Sequence, residues 1–330
     1  MKRIAFVIFS VALLFSCGRD RKADISDIHA GLVFKNLDDD LLSPDIDLKK
    51  ALPGLQKKYA SFFPFFTRQM IGIGGPGQPD LMKSLELFVT DTLIKDLKKN
   101  ADRSVNKDSL KGELEKAFRY YRYYFPQGNI PEIYTCISGF HQSVIYTDSL
   151  IGISLDKYLG ADCAYYPRLG IPRYKSKNMY PDKIVPDVVY AWGMEQFPFE
   201  KETPHLVDRM IYEGKLLFFM SALLPDLPDT VKLGYTKKQL RFCQEREKEM
   251  WAYLAEYKLL FSTDRMDVKR YVDDAANTPG FTSESPGRAG VWLGWQIVES
   301  YMKQNPGVSL FQLMHDDDYQ GLLQHSAYQP

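Results

Sequence analysis

The run Met210-Ile211-Tyr212-Glu213-Gly214-Lys215 places a carboxylate in the middle of an apolar helical stretch. A buried carboxylate must be paired, or hold its proton more tightly than usual. Glu213 is therefore either a general acid or base, or an ion-pair member. The pairing is the reading the spacing favours, with Arg209 four residues earlier on the same face or toward Lys215. Gly214 inside a helix costs about 1 kcal/mol against Ala, which points to close approach of another element. A second carboxylate, Glu195, lies in VVYAWGMEQF at 188–197, and Glu195 and Glu213 are the candidate acid–base residues. A further set lies in SPGRAGVWLGWQIVESYM at 285–302. Gly290 and Gly294 stand four apart and flatten one helix side. Arg288 at the helix start opposes the dipole and calls for a carboxylate partner. Arg209, Arg288, Trp292 and Trp295 are candidate binding anchors on a groove wall; the competing reading is a packed core helix.

Other chemistries lack their residues. The five histidines are His29, His141, His205, His315 and His325, and no two stand four apart. A His-Glu-x-x-His zinc helix is absent, so no metal ligands and no cofactor are assigned. There is no G-x-S-x-G for a serine hydrolase. The loop IGIGGPG at 71–77 has glycines but no Gly-Lys-Ser/Thr, and reads as a tight turn. AFRYYRYYFP at 117–126 interleaves two arginines with six aromatics, which cation–π stacking along a helix explains.

The start of the chain, MKRIAFVIFSVALLFSC, fixes the compartment. Lys2 and Arg3 precede an apolar run from Ile4 to Phe15, then Ser16 and Cys17. That is a secretory signal, and its end is a lipobox, the cleavage and diacylation site of bacterial lipoproteins. The run is shorter than the roughly 20 residues a spanning helix needs. Residues 1–16 are then a signal peptide, Cys17 carries the lipid, 17–30 form a polar tether, and 31–330 form one globular domain. Membrane attachment runs through acylated Cys17, in the cell envelope facing the periplasm. The full chain carries 42 basic and 42 acidic residues; cleavage leaves 40 against 42. Such a balance gives no footprint for nucleic acid. Cys136, Cys163 and Cys243 form no CxxC pair, and read as three thiols or as one disulfide and one thiol.

The elements that must position these residues read as α+β: mainly helical with a small antiparallel sheet around 131–160. A helix is expected over 48–66, interrupted by Pro53 and Pro64, with others over 81–99 and 108–124. EIYTCISGF (132–140), SVIYTD (143–148) and LIGISLDKYLG (150–160) read as three strands of a meander, turning at Gly139 and Asp148. Helices follow over 187–196, from an N-cap at Thr203 to before Pro225, from Thr236 to about Ser262, and over 291–304. Thr236/Gln239 and Ser309/Gln312 are capping boxes, the second opening a short final helix.

In this order and spacing the landmarks resemble the gliding-motility lipoprotein B family. They are the lipobox, LPGLQKKYASFFPFF (52–66), YYFP (123–126), PEIYTCISGF (131–140), LIGISLDKYLG (150–160), MIYEGK (210–215), GYTKKQ (234–239), TPGFTSESPGRAGVWLGWQIVESYM (278–302) and LLQHSAYQP (322–330). The resemblance implies a lipoprotein that supports surface gliding and the linked secretion apparatus, with other envelope proteins as partners and no established enzymatic activity. A more distant similarity is to zincin-like peptidases. Glu213-Gly214 matches their second motif, while Trp192 and Glu195 stand where the first would supply ligands and base. That similarity implies a degenerate zincin-like scaffold, a pseudoenzyme. The alternatives are an envelope hydrolase acting on peptide or glycan through Glu195 and Glu213, and a periplasmic small-ligand binder suggested by the aromatic excess.

Overall fold

The computed structural model describes residues 22–330; the signal peptide and Cys17 lie outside them. Four strands form one mixed sheet in the order β1-β2-β4-β3. They are β1 (Phe34–Asn36), β2 (Glu132–Cys136), β3 (Val144–Tyr146) and β4 (Leu150–Ser154). The expected antiparallel meander is corrected. β3 and β4 do form an antiparallel hairpin, but β2 runs parallel to both β1 and β4, with Ile133 opposite Phe34 and Ile151. The physical reason lies in burial: Ile133 to Cys136 and all of β4 are buried, as central strands covered on both faces must be. The short β3 takes the edge. The third expected strand ends at Ser154 and passes into a single 3-10 turn.

Strand alternation then divides the core. Ile133, Ile151 and Ile153 face the large helical cluster that holds most of the chain's second half. Tyr134, Cys136, Ile145 and Leu150 face the other way, against Tyr59, Phe62, Phe63 and Phe66. Phe62 stacks on Tyr134 with centroids 4.6 Å apart. The elements between Leu37 and Val89 thus cover one sheet face, while the helices Thr92–Ser104 and Lys107–Tyr124 join the helical C-terminal half on the other.

The central helix, Leu206–Leu223, is buried almost all round, in keeping with its lack of a polar face. It starts later than the Thr203 cap expected. His205 is the N-cap, in a capping box with Asp208, whose Oδ2 accepts from the His205 amide at 2.8 Å and from Lys201 at 2.6 Å. The buried Asp208 supplies a stronger cap than Thr203 could. The central helix crosses the glycine-rich helix, Ala289–Gln304, at Gly214, Gly290 and Gly294. A Cβ on Gly214 would stand 2.3 Å from the Gly294 carbonyl oxygen, and one on Gly294 would stand 1.7 Å from that of Met210. The close approach inferred from Gly214 is this crossing.

Both expected capping boxes form. The helix opened by Thr236 stops at Glu245, however, and a second one covers Glu247–Glu256. A further helix, Tyr319–Ser326, follows the one capped by Ser309. The expected first helix holds only over Leu48–Lys58, then gives way to a short turn and a π-turn ending at Met70. Cys136, Cys163 and Cys243 are all free thiols.

Residues 22–30, expected as tether, lie along the domain. Ile25 and Ala30 are buried. Arg119 donates to the carbonyls of Ile25, of Ser26 at 3.1 Å and of Ile28 at 2.7 Å. Arg122 likewise donates to the Pro126 and Gly128 carbonyls. The arginines of the aromatic helix therefore hold backbone rather than stack on rings, because carbonyls left by two adjoining loops need donors.

Candidate functional site

Glu213 is buried in the central helix, one residue before the helix crossing. Arg209, one turn earlier, meets its Oε1 at 3.1 Å. Arg288 reaches its Oε2 at 3.4 Å from the start of the glycine-rich helix, and Tyr190 donates to the same oxygen. One carboxylate thus meets two guanidiniums and a phenol. Desolvation and the neighbouring Glu213 charge hold the Tyr190 phenol well above its ordinary value. Arg209 also lies over two touching rings, 4.6 Å from the Phe199 centroid and 5.1 Å from that of Tyr212.

Arg288 owes its place to local strain. Its φ of 61° and ψ of 31° lie in the left-handed region, which costs a non-glycine residue on the order of 1–3 kcal/mol. The surrounding loop enforces it. Thr278 Oγ1 donates to the Pro286 carbonyl at 2.7 Å and accepts from the Ala289 amide at 2.9 Å. Tyr235 donates to the Gly287 and Arg288 carbonyls at 3.0 and 3.1 Å. A second carboxylate, Asp274, stands 3.5 Å from Arg288. The carboxylate partner expected for Arg288 is therefore present twice.

The remaining candidates fall elsewhere. Trp292 and Trp295 are 2% and 6% exposed. They are core residues rather than a groove wall, because a helix crossing at glycine turns its bulky side chains into the packing on either side. Trp192 is fully buried against Phe118 and Tyr121. From its helix, Ile184–Gln196, the residue that meets Glu213 is Tyr190. Glu195 is half-buried near that helix's end, where burial first and the Glu195 charge second raise the Tyr146 phenol above its ordinary value.

A cavity of about 530 Å³ opens beside this constellation, with Arg288 in its wall. A smaller one of about 70 Å³, lined by Lys183, Asp187, Tyr190, Lys232 and Arg288, leads from it toward the central helix. Glu213 lines neither. Asp187 accepts from Tyr158 at 2.9 Å and pairs with Lys183 at 3.2 Å. Tyr190, Asp187 and the cavity lysines carry no motif in the sequence. The apolar flanks of Tyr190 and the pairing distance from Asp187 to Lys183 were the only signals of their roles.

Among the described residues, Asp38, Asp39 and Asp102 form a three-carboxylate group close enough to share an ion. Lys98 and Lys107 sit within it, each 2.5 Å from a carboxylate oxygen, and supply its counter-charge.

The sequence profile of the gliding motility protein GldB matches residues 18–330. The chain belongs to the GldB family. No curated protein and no solved structure matches it. The match spans both faces of the sheet and every element that positions Glu213 and Arg288. The GldB profile begins immediately after Cys17, so the whole described domain is the family's unit. GldB membership brings involvement in gliding motility and suggests a cell-envelope location. Among the described residues no helix is long and apolar enough to cross a membrane.

Proposed function

We propose that this GldB-family chain is a lipid-anchored, non-catalytic component of the machinery that supports gliding and its associated protein secretion. The observation that carries the non-catalytic part is the state of Glu213. A working acid or base must reach its substrate and exchange a proton with it. Glu213 is instead enclosed by Arg209, Arg288 and Tyr190 and lines neither of the two adjoining cavities. A buried carboxylate so paired is fixed in place. Its evident work is to lock the two crossing helices together.

The anchoring part rests on the lipobox ending at Cys17 and on chain geometry. Five residue steps separate Cys17 from Lys22, a reach of at most about 18 Å. Lys22 pairs with Asp226, and residues 24–30 lie on the domain. A lipid on Cys17 would therefore hold the domain close to the bilayer, in a restricted orientation, with its partners drawn from the envelope. Replacing Cys17 tests this. Cys17→Ala should move the chain out of the membrane fraction and abolish gliding in a strain that depends on it. Full membrane attachment of that variant would refute the anchor.

A further inference from the structure

The wall of the 530 Å³ cavity is unusually basic. Lys157, Lys175, Lys177, Lys183, Lys232 and Arg288 line it, against Asp187 and Asp274. The chain as a whole carries equal numbers of basic and acidic residues, so this excess is local. It is also assembled from separate places: the turn after β4, the 173–177 turn, the start of the Ile184–Gln196 helix, the short Asp229–Leu233 helix and the loop before Ala289. The two carboxylates are already engaged, Asp187 with Lys183 and Asp274 with Arg288. Lys157, Lys175 and Lys177 form no ion pair among the described residues. Lys157 donates only to the Phe140 carbonyl and Lys177 only to the Gln239 side chain. Burial pulls both below the ordinary lysine range, and Lys175 adds like-charge repulsion on Lys157. Like charges focused in a concave wall destabilise the folded state unless an anion joins them.

We propose that this cavity binds an organic phosphate, its phosphate held by Lys157, Lys175 and Lys177. Ammonium groups from several directions suit a tetrahedral phosphate, and Arg288, already paired with Glu213 and Asp274, adds only to the positive field of the wall. Ile171, Tyr174, Met179 and Leu233 add an apolar wall for the rest of the ligand. The volume falls within the range of small-molecule sites. Such binding requires neither the anchor nor Glu213. The phosphate could be that of a soluble ester or of a lipid headgroup.

Calorimetry on the full mature chain in detergent, at constant ionic strength, separates these. The probes are inorganic pyrophosphate and short-chain dihexanoyl phosphatidylglycerol. Saturable binding of pyrophosphate, weakening with salt, is expected. Lys175→Gln with Lys177→Gln should weaken it at least about tenfold, the fold-change of one charge-assisted hydrogen bond. Lys157→Gln alone should weaken it in the same direction. Lys238→Gln with Lys248→Gln, both exposed and neither in the cavity wall, should leave it unchanged. Competition by the phosphatidylglycerol would identify a lipid source, and binding of pyrophosphate alone a soluble one. Absence of saturation by about 10 mM, or an equal loss in the Lys238/Lys248 control, would overturn the proposal.

Discussion

The crossing of the central and glycine-rich helices gives the sharpest structural prediction. A Cβ built on Gly214 meets the backbone of Gly294 and Trp295, the nearest atoms at 2.3, 2.4 and 2.7 Å. One built on Gly294 meets Met210 backbone at 1.7 and 2.3 Å. Ordinary carbon contacts lie near 3.5–4.0 Å, so the helices must separate by about 1 Å or more for Gly214→Ala, and further for Gly294→Ala. Backbone offers no rotamer through which to yield. Alanine would return about 1 kcal/mol of helix propensity, but overpacking costs on the order of 1–3 kcal/mol and more where backbone must shift. The separation would also loosen the Arg288–Glu213 contact. The net expectation is a loss of about 2 kcal/mol for Gly214→Ala and about 3 kcal/mol or more for Gly294→Ala. Gly193→Ala is the internal control. Its Cβ would meet only side chains, Leu216 at 3.0 Å and Phe219 at 3.2 Å, which can turn aside. That variant should stay within about 1 kcal/mol of the parent. Guanidinium denaturation, read as a midpoint shift at unchanged slope, measures all three. If Gly214→Ala were as stable as Gly193→Ala, the close-crossing argument would fail.

Lys215 is 2% exposed, its Nζ bonded to the Asp316 carbonyl at 2.6 Å, and burial pulls its pKa down to about 8. Below that value it is charged in both folded and unfolded chains, and the desolvation penalty is fully present. As pH rises from about 8 toward the unfolded value of 10.5, the folded chain sheds the proton first and the penalty is relieved. Stability of the parent relative to Lys215→Met should therefore rise over that window by up to about 3 kcal/mol; a flat difference between about pH 7.5 and about pH 10 would contradict the burial argument. Arg119→Met removes the donors that hold residues 25–28. Limited proteolysis should then cut within 22–30 faster, with a global stability loss below about 2 kcal/mol, and unchanged cleavage would mean the segment is held by Ile25 and Ala30 alone.

What the sequence disclosed was mostly local. The Arg209–Glu213 spacing, the misplaced glycine at 214, the two capping boxes and the need of Arg288 for a carboxylate each depend on residues within one helical turn, or on an unpaired charge that had to find a partner. What it did not disclose depends on long-range placement. Nothing in β2 or β4 specifies that they pair in parallel, since both are apolar on both faces and a hairpin was the shorter connection. Tyr190 looks like any core tyrosine until the central helix brings Glu213 against it. The cavity lysines run from 157 to 232 and meet only after the loops close. Residues 22–30 read as polar tether because Ile25 and Ala30 are too few to show a buried face.

In the function proposed above, the domain works by position rather than by chemistry, and Glu213 is a structural charge. Gliding of cells carrying Glu213→Gln tests it most directly, with membrane attachment and thermal stability of the variant measured alongside. Glutamine keeps an acceptor for Tyr190 and removes only the proton exchange and the charge. Cells whose Glu213→Gln chain remains folded and attached should glide as the parent does. Loss of gliding in cells whose variant chain is folded and attached would show that Glu213 performs chemistry after all.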